Sequence, residues 1–250
     1  MARGMFVGLG AVGAAAAGLA SVYVVRDRAS PEPALIAARS APETVCIESN
    51  VRLVEGMSRS CRTAAQFEAL RDRPVVGGDG TAIAVNLVGP ADETDANSVR
   101  TCAEYDSLIA SGWYALSSAD LRREEYFKRA CGALSLLVTA KPARLSHFAG
   151  GKAEPADIFS MAREDAIAFG EAAPEAPVDV AEIESGVWKV AIGEGETVIY
   201  EIAHADFTGD GVGEILAYVS AGAPGGTARV GSIGFIEKPN AGGPCSFSPR

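Results

Sequence analysis

Residues 197–220 read Thr197-Val-Ile-Tyr-Glu-Ile-Ala-His-Ala-Asp-Phe-Thr-Gly-Asp-Gly-Val-Gly-Glu-Ile-Leu-Ala-Tyr-Val-Ser220. Two β-branched and aromatic runs flank an acidic, glycine-rich turn, the pattern of two strands joined by a loop. The same period of two recurs at 187–192 and 229–236, so four strands at 187–192, 197–203, 215–220 and 229–236 are expected. They predict a small antiparallel β-rich lobe over 181–238, followed by a Gly/Pro-rich tail at 239–250. Just upstream, Glu171-Ala-Ala-Pro-Glu-Ala-Pro177 breaks all periodicity and sets a linker at 171–180.

Residues 46–170 read differently. Ala64, Phe67 and Leu70 recur at helical spacing within 60–71. Residues 102–110 form a helix candidate closed by Gly112. Ser118 can cap a long helix over 119–138, with Leu121, Phe127, Cys131, Leu134 and Val138 along one face. Pro155 and an early Asp157 open another helix over 155–169, stopped by Gly170. Only 83–88, after Gly77-Gly78-Asp79-Gly80, reads as a strand. The fold class expected is therefore α+β: a mostly helical N-terminal region, then the small antiparallel β-rich lobe.

The turn in the quoted stretch has chemistry of its own. Asp206, Thr208, Asp210 and Glu214 occupy loop positions 1, 3, 5 and 9, and Gly211 stands at position 6. Alternate oxygen-bearing side chains around a tight left-handed turn are what a hard cation such as Ca²⁺ needs. On these residues the loop resembles the calcium loops of FG-GAP (integrin α-type propeller) repeats and related EF-hand-like loops. The resemblance rests on Asp206, Asp210, Gly211 and Glu214, with Ile215-Leu216 after them as a strand start, and covers about a dozen residues. It implies side-chain ligands from Asp206, Thr208, Asp210 and Glu214, with Val212 giving a backbone carbonyl to a structural Ca²⁺. Thr208 departs from the usual Asn or Asp, and Ala217 stands where a helical EF-hand places its bidentate Glu, which excludes that version. A plain Asp-Gly hairpin turn is the alternative. No internal repeat accompanies the loop, so a propeller is not implied.

The 250-residue chain is 48% apolar with a net charge of −10. Residues 1–28 hold Arg3, Arg26 and Arg28 against Asp27, so the remainder carries −12. Such acidity repels phosphate backbones, and no nucleic acid is expected as a partner. Residues 5–25 run 21 positions without a charge between Arg3 and Arg26, the layout of a signal peptide or a membrane anchor. The membrane is expected to be met through this segment alone. Residues 29–45 form a Pro- and Ala-rich linker. Gly8-Leu-Gly10-Ala-Val-Gly13 imitates a dinucleotide fingerprint, but almost no strand precedes it, and Pro31 and Pro33 stand where a βα unit would continue. The expected location is periplasmic or extracellular, tethered or free.

Five cysteines (Cys46, Cys61, Cys102, Cys131, Cys245) include no C-x-x-C pair. In an exported chain disulfides are the default, and Cys102–Cys131, which flank two consecutive helical stretches, is the pairing favoured. One cysteine must be left over. Asp92-Glu-Thr-Asp-Ala-Asn97 lacks a central glycine and reads as a solvated loop. Among the aromatics of Trp113–Phe127, core packing is the expectation, with Glu125 spaced to pair with Arg129. The two histidines, His147 and His204, stand in no recognisable catalytic motif. The function expected is a non-catalytic exported or tethered envelope protein that binds a protein or envelope ligand. The alternative is a periplasmic hydrolase with dispersed catalytic residues.

Overall fold

Capping decides where the helices begin. In the computed structural model, which describes residues 43–47, 49–91, 95–164, 177–223 and 229–250, Thr63 and Gln66 form a capping box for α1 (Ala64–Leu70). Thr101 and Glu104 do the same for α2 (Cys102–Ala110). The long α3 (Ser118–Thr139) is capped by Ser117, whose hydroxyl oxygen accepts from the Asp120 N–H at 3.0 Å. α4 (Pro155–Glu164) opens on the expected Pro155 and Asp157; residues 165–169, expected as its continuation, lie outside the described residues.

The helices are a minority. β1 (Val45–Cys46) and β2 (Cys61–Arg62) pair antiparallel and carry the Cys46–Cys61 disulfide. β3 (Val85–Val88) pairs with β4 (Ala96–Val99). β5 (Leu145–Ser146) joins the main sheet. That sheet continues through β6 (Val178–Glu184), β7 (Val187–Ile192), β8 (Gly195–Ala205), β9 (Val212–Gly222), β10 (Arg229–Glu237) and β11 (Ser246–Pro249). These six form an antiparallel meander in the order β11-β10-β9-β8-β7-β6. β5 adds a seventh strand, parallel to β9 at Val212 and Gly213, beyond the point where β10 stops pairing at Ile215.

This corrects the expected fold class. The region 46–170 is not mostly helical, and the β part is not a small lobe: a seven-stranded sheet dominates. Helical periodicity identifies α1 to α4, but the stretches between them are held by two-strand ladders and isolated bridges too short to show a period. The sheet is larger than expected because β6 and β11, its two edges, lack clean alternation. β6 holds Asp179, Glu182 and Glu184 and is largely exposed, as edge strands tend to be.

Residues 41–250 form one compact unit. Helices cover both faces of its sheet. On one side α3 packs Phe127, Ala130, Cys131, Leu134 and Leu137 against Ile202, Leu216, Tyr218 and Phe235. On the other, α4 sets Ile158, Met161 and Ala162 against Trp188, Ile199, Ile215, Ala217, Val219 and Ile236. Consecutive residues of β9 therefore serve opposite cores, and this is why β9 is buried along nearly its whole length. Gly132 lets α3 approach closely, since a Cβ there would meet Ile233 at 3.0 Å. The Cys102–Cys131 disulfide ties α2 to α3, the pairing favoured from the sequence, and Cys245 is the unpaired, buried one. Among the described residues no helix is long and apolar enough to cross a membrane; residues 5–25 lie outside them.

Candidate metal site

The 206–214 loop closes the β8–β9 hairpin, whose last pair is Ala205–Glu214. Gly209 and Gly211 both hold φ near +88°, a conformation glycine adopts without strain. That lets the short chain coil back on its own carboxylates. Asp206 Oδ1 accepts from the Gly209 N–H at 2.6 Å, and Oδ2 from the Gly211 N–H at 3.0 Å. Glu214 accepts from the Phe207 N–H at 2.8 Å and the Thr208 hydroxyl at 3.1 Å. Asp210 Oδ1 accepts from the Val212 N–H at 2.7 Å. The loop is anchored from outside as well. Asp206 exchanges two backbone bonds with Lys141, and Gly211 O accepts from the N–H groups of Arg144 and Leu145.

The result is a cluster of three acids. Asp206, Asp210 and Glu214 each offer an oxygen, and these lie within 4.8 Å of one another. Asp206 and Glu214 are buried; Asp210 is exposed. No lysine or arginine among the described residues forms an ion pair with any of them. Burial pushes the Glu214 carboxyl above the usual range, and the charges of Asp210 and Asp206 push the same way, against the two hydrogen bonds it accepts. A cation would relieve that repulsion. Three carboxylates and a hydroxyl are hard oxygen donors, so the cluster can hold a metal ion of that preference.

Of the residues expected from the sequence, the three acids converge. Thr208 reaches the cluster through its bond to Glu214. Val212 begins β9 beside Leu145 of β5. The other acidic stretch is partly a loop between β3 and β4, where Asp95 O accepts from the Gly89 N–H; residues 92–94 lie outside the described residues.

His204 faces Ser146, with Oγ and Nε2 3.0 Å apart, and meets the ring of Phe148 edge-on. Near it on β8 stands a feature the sequence does not advertise. Glu201 is buried, accepts from Trp188 Nε1, and is pushed above the usual glutamate range by that burial. A second cluster likewise belongs to no sequence motif. Arg129 does not pair with Glu125, because Lys128 takes Glu125 and Glu124, each at 3.2 Å. Its guanidinium lies instead over three tyrosine rings, Tyr126, Tyr218 and Tyr200, at 5.2, 5.5 and 5.9 Å. The sequence holds part of the signal, since Tyr126 precedes Arg129 by one helical turn. Tyr200 and Tyr218 are cross-strand partners, and only the sheet register unites them with it.

No protein-family model matches the chain, and neither a curated protein nor a solved structure does.

Proposed function

We propose that this chain is a non-catalytic extracytoplasmic binding protein of the cell envelope, with Ca²⁺ held as a structural ion in the 206–214 loop. The observation that carries the reading is the convergence of Asp206, Asp210 and Glu214 in one loop, with no ion pair to any of them among the described residues. Ca²⁺ suits it better than Mg²⁺, because an irregular set of carboxylate and hydroxyl oxygens meets a variable coordination shell more readily than a strict octahedral one. Two disulfides support an oxidising, extracytoplasmic setting, where millimolar Ca²⁺ sites are useful. A binding role is supported by the exposed Ile109, Tyr114, Leu116 and Leu121, all at the α2–α3 corner. The partner is then a protein or an envelope ligand.

The rival reading, a hydrolase, draws on the Ser146–His204 contact. Ser146 is already engaged: its hydroxyl donates to Phe148 O at 3.2 Å and accepts from the Phe148 N–H at 3.1 Å. The serine hydroxyl thus has a backbone acceptor that competes with the imidazole for its proton. The void beside His204 has a volume of about 10 Å³, room for one water rather than a substrate.

Isothermal titration of the EDTA-stripped full-length chain tests the proposal. One saturable Ca²⁺ site, weakened by Asp206→Asn and weaker for Mg²⁺, is expected. Absence of saturable binding at millimolar Ca²⁺ would reduce the loop to a hairpin turn.

A further inference from the structure

We infer that a second site, independent of the metal loop, binds a small organic anion through Arg129 and Arg52. Its cavity of about 340 Å³ lies between the Gly77–Gly80 turn, Arg52, Arg129 of α3 and Tyr200 of β8, with Val51 and Val187 as apolar walls. That volume is in the range of small-molecule pockets. A second cavity of about 390 Å³ is also lined by Arg129 and Tyr200, with Arg122, Glu125 and Tyr218. One guanidinium thus stands at the junction of two hollows.

Arg129 is built to meet an anion. Three tyrosine rings hold its cation by their quadrupoles, which steady a guanidinium without neutralising it. Its Nε is buried and has no hydrogen-bond partner. Glu125, the carboxylate one turn away, is taken by Lys128. Rings fix the plane of the fork, and a fixed fork matches an oxyanion in bidentate fashion.

The opposite wall repeats the theme. Arg52 is exposed and lies along the glycine turn, with a terminal nitrogen 3.3 Å from where a Gly80 Cβ would stand. The Tyr126 hydroxyl sits 3.2 Å from where a Gly78 Cβ would stand, so the turn bridges Arg52 to the Arg129 cage. Asp79 forms no ion pair with either arginine; its Oδ1 accepts from the Thr81 N–H and hydroxyl at 3.0 and 2.7 Å. Glu184 borders the cavity but is exposed, and neither arginine forms an ion pair among the described residues. On a chain of net charge −10, a wall with two guanidiniums against two carboxylates, and no ion pair between them among the described residues, is locally free of the overall negative excess. The recognised group is an oxyanion, and the apolar walls with Tyr200 accept the organic body attached to it.

The test uses the full-length chain in EDTA, which removes metal-bridged binding, with inorganic phosphate and succinate as probes against chloride at matched ionic strength. Arginine Nε–H resonances are followed by NMR. A saturable shift of the Arg129 signal is expected with at least one probe, and Arg52→Gln should weaken it tenfold or more. The stronger probe assigns the headgroup as phosphate or carboxylate. Arg129→Gln should abolish the response. Asp210→Ala should leave it unchanged, which separates this site from the metal loop. Arg52 is exposed and makes no bonds that folding needs, so its variant stays informative if Arg129→Gln fails to fold. Saturation by neither anion, or equal affinity in wild type and Arg52→Gln, would overturn the inference.

Discussion

At the scale of single residues, the differences from sequence expectation come from polar groups that find partners in the interior. Helical spacing places Leu121 on the buried face of α3, yet it is 47% exposed while its neighbour Asp120 is 8% exposed. Asp120 takes that place because its carboxylate accepts from the backbone and side-chain N–H groups of Asn86 and from the Ser117 hydroxyl, which ties α3 to β3. No period in the sequence could foretell a bond to a residue 34 positions away. Glu201 is the same lesson with a pH consequence. Its carboxyl is raised in the folded state, so it favours folding below its unfolded value near 4.5 and loses that contribution as pH rises through the folded value. Glu201→Gln keeps an acceptor for Trp188 Nε1 and removes the buried charge. The variant is therefore expected to melt higher than wild type at pH 7 and to show a flatter decline between acidic and neutral pH. Thermal unfolding across that range checks it; a lower melting temperature at pH 7 would mean that the charge itself is needed.

At the scale of elements, legibility tracks signal strength. α2 and β7 begin and end where capping and alternation place them, at 102–110 and 187–192. β8, β9 and β10 are recognisable but longer than their alternation suggests: β8 starts back at Gly195 and runs on to Ala205, β9 takes in Gly213 and Gly222, glycines that carry turn signals, and β10 gains Glu237. β11 lies in what the sequence presents as a tail, because Ser246-Phe-Ser-Pro249 has no apolar alternation; it exists through its pairing with β10. That pairing depends on Gly234, where a Cβ would collide with Ser248 O and approach Phe247 Cζ to 2.8 Å. Gly234→Ala should therefore release β11 and cost about 1–3 kcal/mol. Fast hydrogen exchange at 246–249 would report the release, and unchanged protection would show that the strand can shift without leaving. The Cys102–Cys131 link closes 29 residues, for which loop entropy gives about 3–4 kcal/mol. Replacing both cysteines by Ala should lower denaturant stability by that order, and a loss well under 1 kcal/mol would mean that the core alone fixes α2 on α3.

At the scale of the whole molecule, the acidic loop sits where two layers of organisation meet. Its ends are the central strands β8 and β9, and its outer side is bonded to the chain that leaves α3 through Lys141, Arg144 and Leu145. A cation at Asp206, Asp210 and Glu214 would therefore brace the sheet against the helical layer, which is why its effect should be global. The loop is legible from sequence because its three acids are local. The arginine–tyrosine cage is not, because α3, β8 and β9 contribute to it from distant positions. The most direct measurement is thermal unfolding of the full-length chain in EDTA and in excess Ca²⁺, for wild type and Asp210→Ala. At a hundredfold excess over the dissociation constant, binding adds about 2.7 kcal/mol, or about 5–10 °C in midpoint. That rise in wild type, and its loss in Asp210→Ala, is the result a structural Ca²⁺ site predicts. An equal midpoint with and without Ca²⁺ in wild type would contradict it.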